Sequence, residues 1–108
     1  MIEAAGRWQE PDPSGATYVQ HLATADLSVG AYCLRRGSMD TQSPHDEDEV
    51  YVVNAGQGYF TGGERTVPVE QGSVLFVPAG EPHRFHDIGE DLTVLVFFGP
   101  AYGSRAAS

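Results

Sequence analysis

Short apolar runs, each closed by glycine or proline, are the feature that most restricts how this 108-residue chain can fold. The runs lie at residues 17–23, 27–34, 49–54, 59–61, 65–69, 73–77, 83–86 and 92–98. None of them continues with the 3.6-residue apolar period of an amphipathic helix. Strands at intervals of roughly 8–12 residues, with turn-forming residues between them, are typical of antiparallel sandwiches and barrels. The sequence therefore predicts an all-β chain folded as a jelly-roll barrel.

Length and composition favour one small globular domain. A chain of 108 residues can bury a single core, and 13 glycines with 7 prolines are too many for a helical bundle. The polar first residues include Pro11, Pro13 and Gly15, which indicates an extended segment with little core of its own. We therefore expect an extended N-terminal arm at residues 1–16, the barrel at 17–100 and a flexible C-terminal tail at 101–108.

The charge balance excludes several classes of function. The net charge is −9, from 15 acidic and 6 basic residues, and all six basic residues are arginine. Nucleic-acid binding needs a basic face, so no nucleic-acid partner is expected. Schiff-base chemistry is excluded because there is no lysine.

The sequence also gives an expectation for the compartment. No apolar run approaches the roughly 18 residues that a membrane span needs, so no membrane partner is expected. The N-terminus has no basic region followed by an apolar stretch, as a signal peptide would. The lone Cys33 excludes an internal disulfide and fits a reducing compartment. These features together predict a cytoplasmic protein.

The segment SPHDEDEVY at residues 43–51 places four acids and a histidine directly before an apolar strand. It is either a solvated acidic loop or part of a metal site. On an extended segment, His45 and Glu49 share one face because they are four positions apart, an even spacing. His83 follows a Pro-Ala-Gly turn that can return its strand across the barrel. Two imidazoles and one carboxylate form a ligand set associated with non-haem Fe(II), in which metal positions stay open.

Two spaced patterns strengthen the metal-site interpretation. The first consists of Gly37, Ser43, His45, Glu49 and Gly56. The second consists of Gly72, Pro78, Gly80, His83 and Asp87. In order and spacing these residues resemble the two motifs of the cupin superfamily, and the resemblance spans about residues 27–98. Two identities differ, because the cupin motifs have histidine at the position of Ser43 and asparagine at that of Asp87.

The resemblance implies a double-stranded β-helix, the cupin form of the jelly roll, with one divalent metal held by His45, Glu49 and His83. Cupins commonly use a further histidine where this chain has Ser43. Gln42 has a longer side chain ending in a carbonyl oxygen, and we favour it as a weak fourth ligand over Ser43 or water. Fe²⁺ is the favoured metal, with Zn²⁺, Mn²⁺ and Ni²⁺ as alternatives. The opposing interpretation is a decayed site that holds no metal.

Strand alternation assigns directions to the neighbouring side chains. Tyr51, Val53 and Phe85 should line the interior beside the ligands. Arg84 and His86 should face away from it, so His86 is not expected to be a ligand. Three further phenylalanines are expected either in the pocket wall or in the plain core, namely Phe60, Phe76 and Phe97.

The remaining acids of the cluster have different expected roles. Asp46 and Asp48 are interpreted as solvated loop acids that attract cations. Glu47 has the parity of Glu49 but lies in a loop, where parity need not hold. Glu47 and Tyr51 are the candidate catalytic residues, as proton carriers.

Two classes of function follow. The first is a metal-dependent enzyme that acts on a small organic molecule, by dioxygenase or by non-redox isomerase or lyase chemistry. The second is a non-catalytic cupin that binds or senses a small molecule. In either case a homodimer is expected, because the arm and the sheet edges need cover, and light scattering tests it.

Overall fold

The computed structural model describes residues 17–40 and 44–104. These residues form six β-strands and no helix. The strands are β1 (Thr17–Ala23), β2 (Ser28–Leu34), β3 (Asp48–Gly62), β4 (Arg65–Glu70), β5 (Val74–Val77) and β6 (His83–Gly99). The expected arm at residues 1–16, residues 41–43 and the last residues, 105–108, lie outside the described part of the chain.

All strand pairs are antiparallel, and the sheet follows the order β1-β2-β6-β3-β4, with β5 also paired to β3. Strands β3 and β6 pair along their whole lengths, from Asp48 opposite Gly99 to Gly62 opposite His83. The first half of β3 also pairs with β5, and its second half pairs with β4. The all-β architecture predicted from the sequence is confirmed. Among the described residues, no helix is long and apolar enough to cross a membrane.

The two longest strands differ from the sequence prediction. The runs at 49–54 and 59–61 belong to one strand, β3, and those at 83–86 and 92–98 belong to β6. The residues Ala55 and Gly56 were expected to end a strand, but they lie in a series of register shifts between Val53 and Tyr59. A glycine that terminates a strand and a glycine that bends one have the same local sequence signature.

Gly56 shows why this bend needs glycine. Its φ angle is +91°, and a Cβ atom placed on it would overlap the backbone carbonyl of Asp91 on the paired strand. A side chain at this position is therefore excluded twice, by the left-handed backbone and by the close approach of β6. The bend lets β3 and β6 run from one side of the barrel to the other.

The interior is built from alternate residues of β3 and β6. The first half of β3 turns Glu49, Tyr51 and Val53 inward, and all three are buried. Phe85 is fully buried and Phe60 is in the same core, as expected. Phe76 is different, because it is 63% exposed on the outer side of β5, next to Val74 at 67%. The homodimer that could cover these two side chains stays a prediction.

We expect Gly56→Ala to destabilise the fold much more than Gly72→Ala. Both glycines have a φ angle of +91°, but a Cβ at Gly72 would meet nothing within 4 Å. Gly72→Ala should therefore cost only the left-handed backbone penalty of about 1–2 kcal/mol. Gly56→Ala adds the collision with Asp91, so its loss of unfolding free energy in urea should clearly exceed that of the control. Equal losses would show that β6 does not approach Gly56 closely.

Candidate metal centre

Three elements position the predicted metal ligands. His45 lies in the loop before β3, Glu49 is the second residue of β3, and His83 is the first residue of β6. One ligand atom from each residue lies within 4.8 Å of those from the other two. The structure therefore brings together the three side chains that the motif spacing selected. His45, Glu49 and His83 form a group able to hold a metal ion, which we call the metal group.

Backbone hydrogen bonds join the two loops that carry these ligands. The N–H of Gly80 donates to the carbonyl of His45 at 2.7 Å, so the turn before β6 holds the loop before β3. In the same place, the N–H of Ala79 donates to Oδ1 of Asp48 at 2.8 Å. Asp46 is exposed, as predicted for a solvated acid. Asp48 is also exposed, as predicted, but it begins β3 rather than lying in the loop, and through this hydrogen bond it also holds the turn before β6.

The orientation of His83 is set at both ring nitrogens. Nδ1 lies 2.9 Å from the carbonyl oxygen of Glu81, which can only accept, so Nδ1 carries the proton. Nε2 therefore points into the group, 2.7 Å from Oε1 of Glu49 and 3.2 Å from the hydroxyl of Tyr51. A neutral ring fixed in this way presents the Nε2 lone pair that metal coordination requires.

The burial of Glu49 tests whether a cation fits. Its side chain is 1% exposed, and no described residue gives either carboxylate oxygen a hydrogen bond of good geometry, despite the 2.7 Å contact with His83. A buried carboxylate without adequate donors is costly, and a coordinated cation removes that cost. The donor set of two imidazoles and one carboxylate fits a divalent transition metal. Such an ion would be held by His45, Glu49 and His83.

The pKa of His83 reflects the same contact. Burial alone would lower it, but the close contact with the Glu49 carboxylate and the hydrogen bond to the carbonyl of Glu81 outweigh burial, and the pKa of His83 is raised above 6.5. Without metal, a proton on His83 therefore takes the place that a cation would occupy beside Glu49. Metal binding has to displace this proton.

A cavity of about 110 Å³ lies next to the metal group. Its lining includes six aromatic side chains, Tyr18, Tyr32, His45, Tyr51, Phe98 and Tyr102. They come from β1, β2, the loop before β3, β3, β6 and the segment after β6. Ala101 is buried, and the N–H of Tyr102 donates to Oγ of Ser28 at 2.8 Å, which places the Tyr102 ring at this cavity.

Asp40 supports one wall of the cavity. It is buried and accepts hydrogen bonds from the hydroxyl of Tyr32 and from the N–H of Phe85, both at 2.8 Å. Burial, followed by the charge and the hydrogen bond of Asp40, raises the pKa of Tyr32 far above its ordinary value. The Tyr32 hydroxyl therefore stays protonated and donates to Asp40. Sequence reasoning missed both residues, since no motif position marks them.

Comparison with known proteins agrees with this architecture. Residues 32–98 match the cupin domain family. An uncharacterized protein of Streptomyces coelicolor is 51% identical over 83 residues, which cover 77% of this chain and 79% of that protein. The chain is a cupin.

Two solved structures show the same fold at low identity. One is an RmlC-like cupin family protein with a double-stranded β-helix fold from Methanocaldococcus jannaschii, with a TM-score of 0.76, 17% identity and 93% of each chain covered. The other is the DMSP lyase DddQ from Ruegeria pomeroyi, with a TM-score of 0.74 and 19% identity. That similarity covers 87% of this cupin and 50% of the lyase chain. This cupin thus has the predicted double-stranded β-helix.

The other predicted site residues have separate outcomes. Gln42, the favoured fourth ligand, and Ser43, its competitor, lie outside the described residues, so that assignment stays a prediction. Glu47 is buried, but it belongs neither to the group of metal-ligating atoms nor to the cavity lining. Tyr51 lines the cavity and contacts His83. Of the two candidate proton carriers, the structure brings only Tyr51 to the site.

His86 is separated from the metal group, as strand parity predicted. Its Nε2 lies 2.7 Å from Oγ1 of Thr61 and its Nδ1 lies 2.6 Å from Oδ2 of Asp87. The ring also stacks on Tyr59 at a centroid distance of 6.1 Å. Because both nitrogens are engaged here, His86 provides a matched control for His83.

We expect Asp48→Ala to weaken metal binding although Asp48 is not a ligand. Loss of the Ala79 contact loosens the turn before His83, and residues that orient ligands commonly change metal affinity about 10- to 100-fold. Asp46→Ala is the control, because it removes the same charge two positions before Asp48. Zinc affinity should fall in the Asp48 variant and change little in the Asp46 variant. Equal losses would mean that only the charge of the loop matters.

Metal binding should also depend on pH through His83. Because the pKa of His83 is raised, the ring is still partly protonated at pH values above 6.5. As pH is lowered, zinc affinity should therefore begin to fall at a pH above 6.5. Below the raised pKa, it should decline about tenfold per pH unit. In the metal-free protein, folding stability depends on pH in the opposite direction to zinc affinity. The His83–Glu49 contact stabilises the fold at low pH and is lost as pH rises through the raised pKa.

Zinc titrations across pH with the His83→Ala and His86→Ala variants measure this. We expect a loss of at least about 100-fold in affinity for His83→Ala and little change for His86→Ala. Zinc retained by the unsubstituted protein through about pH 4 would contradict a site with two histidines.

Proposed function

We propose that this cupin is a metal-dependent enzyme that carries out non-redox acid–base chemistry, of the isomerase or lyase type, on a small organic molecule. The observation that supports it is the position of Tyr51, which lines the aromatic cavity and whose hydroxyl lies 3.2 Å from Nε2 of His83. A proton carrier therefore stands directly beside a metal-ligating nitrogen. A bound divalent metal would supply Lewis acidity to an oxygen of the substrate.

The burial of the site favours acid–base chemistry. Glu49 and His83 are both buried, and the third member of the metal group, His45, lines the cavity together with Tyr51, so a substrate held there would lie beside buried groups. In this setting the Tyr51 side chain can give a proton to a substrate atom held beside it when it is a phenol, or take one from that atom when it is a phenolate. Its ring is held against Phe60 and Phe85, at centroid distances of 5.7 and 5.0 Å. The packing keeps the hydroxyl in one position, as catalysis by a positioned group requires.

The size of the cavity restricts the substrate. About 110 Å³ is well below the ~300–1,000 Å³ of pockets that enclose drug-sized ligands, so only a small molecule or one end of a larger molecule fits. Similarity to a chain described as a DMSP lyase is consistent with lyase chemistry on this fold, although the shared fold does not itself transfer an activity.

Oxygenation is the second candidate function. Its support is the ligand set, because two histidines and one carboxylate are the group used by non-haem Fe(II) oxygenases. Non-catalytic binding of a small molecule is the remaining alternative. The Tyr51 hydroxyl distinguishes these functions, since passive binding does not require a proton carrier beside the metal.

We expect Tyr51→Phe to abolish most of the activity while the fold and the metal site remain. The substitution keeps the ring but removes the hydroxyl, and a positioned acid or base typically contributes about 10²- to 10⁴-fold in rate. The zinc-loaded protein would be incubated in D₂O with small 2-oxo acids, hydroxy acids and betaines, and turnover or proton exchange would be followed by NMR. Tyr59→Phe is the control, because Tyr59 lies outside the cavity and is 45% exposed.

The choice of metal completes this test. Turnover with redox-inactive zinc and without oxygen consumption supports the proposal. Turnover that requires Fe²⁺ and consumes oxygen would replace it with the oxygenase function. Unchanged rates in Tyr51→Phe would remove the proton-carrier role, and tight binding of a panel member without turnover in any metal form would favour a binding module.

A further inference from the structure

The cavity beside the metal group is lined by aromatic rings, of which two are stacked and two more stand at right angles to them. Phe98 and Tyr102 stack with a centroid distance of 4.8 Å and an interplanar angle of 20°. Tyr18 stands nearly perpendicular to both, at 84° to Phe98 and 87° to Tyr102. His45 is also perpendicular to Phe98, at 85°, so the metal group and the aromatic walls are continuous.

Gly30 creates the space for one of these walls. A Cβ on Gly30 would lie 2.6 Å from ring carbons and from the hydroxyl oxygen of Tyr18. The Tyr18 ring therefore rests directly on the backbone of β2. Its hydroxyl is buried and has no hydrogen-bond partner among the described residues. A buried phenol without a partner costs stability, so the packing over Gly30, and not a hydrogen bond, fixes the position of this ring.

The charges around the cavity are unusual for a site that recognises an anion. No arginine lines the described cavity, and the chain has no lysine. Besides His45 in the lining, two acids stand behind it, namely Asp40 behind Tyr32 and Glu49 in the metal group. Burial, together with Tyr102 and Glu49, raises the pKa of Tyr18 to about 12, so this phenol remains neutral. Away from the metal, the cavity offers ring faces, hydroxyls and a negative environment.

We propose that the aromatic end of this cavity binds a small organic cation of permanent charge, such as a quaternary ammonium group, with the rings of Tyr18, Phe98 and Tyr102 as its cage. Aromatic faces attract such cations through their quadrupoles, most strongly where water is excluded. The inference extends the proposed function, because it names the substrate class as a molecule with a cationic group in the cage and an oxygen donor towards the metal group.

Choline and 3,3-dimethylbutan-1-ol are a matched pair of probes, because they have the same shape and differ in the charged nitrogen. Binding to the full-length protein would be measured by NMR titration, both zinc-loaded and metal-free. We expect choline to bind about tenfold more tightly than the neutral alcohol in the zinc-loaded form. Equal affinities for the two probes would overturn the proposal.

Two substitutions locate the binding in the cage. Tyr18→Phe keeps the ring and should retain the preference for choline, whereas Tyr18→Leu removes the ring and should lose most of it. If Tyr18→Leu fails to fold, Tyr102→Leu tests the cage independently. The Tyr102 ring is half exposed, and the hydrogen bond from Tyr102 to Ser28 comes from the backbone N–H, so this substitution should leave the fold intact. A choline preference that survives both leucine variants would place the cation elsewhere and refute the cage.

These measurements are independent of turnover. A cupin that binds choline in the cage but fails the Tyr51→Phe test keeps the cation site and loses the enzymatic proposal. A cupin that turns over substrate yet does not distinguish the two probes keeps its enzymatic function and loses the cage.

Discussion

The site depends on the bend in the paired strands β3 and β6. In a straight ladder, Glu49 near one end of β3 and His83 opposite the other end would be about 40 Å apart, at ~3.3 Å per residue. In the structure, Oε1 of Glu49 and Nε2 of His83 are 2.7 Å apart. The register shifts around Gly56 accompany a bend in the paired strands, so one continuous pair forms both sides of the barrel. Without this bend the two ligands could not meet.

The sequence could predict the metal group because its residues are tied to turns. His45 and Glu49 stand at the start of β3, and His83 follows a turn whose Gly80 has a φ angle of +81°, so local spacing determined their positions. The aromatic cavity could not be predicted in the same way. Tyr18 and Tyr102 come from the two ends of the barrel sequence and meet only because β1 pairs with β2 and β2 pairs with β6. Such contacts follow from barrel closure, and no local pattern marks them.

Once pH has risen above the raised pKa of His83, the metal group is also a source of instability in the metal-free protein. A buried histidine and a buried carboxylate contact each other, but the carboxylate oxygens lack good hydrogen bonds from the described residues. A pair of this kind commonly contributes less to stability than packed apolar side chains would. Retention of the pair here is therefore better explained by a ligand that binds only the folded chain and stabilises it through that binding. The hydrogen bonds from Gly80 and Ala79 hold the two loops in place, so the ligands are arranged before a cation arrives.

The metal group and the aromatic rings, at the two ends of the site, favour different chemical groups on one small molecule. A divalent metal, if held by two neutral histidines and Glu49, would carry a net positive charge and would accept an oxygen donor, whereas the walls beyond it offer aromatic rings and no lysine or arginine. A molecule that carried only negative charge would gain from the metal and find no partner at the aromatic end. A purely cationic molecule would be repelled by the metal. The arrangement is best satisfied by a molecule with an oxygen donor at one end and an apolar or cationic group at the other, held so that the Tyr51 hydroxyl lies beside its metal-bound end.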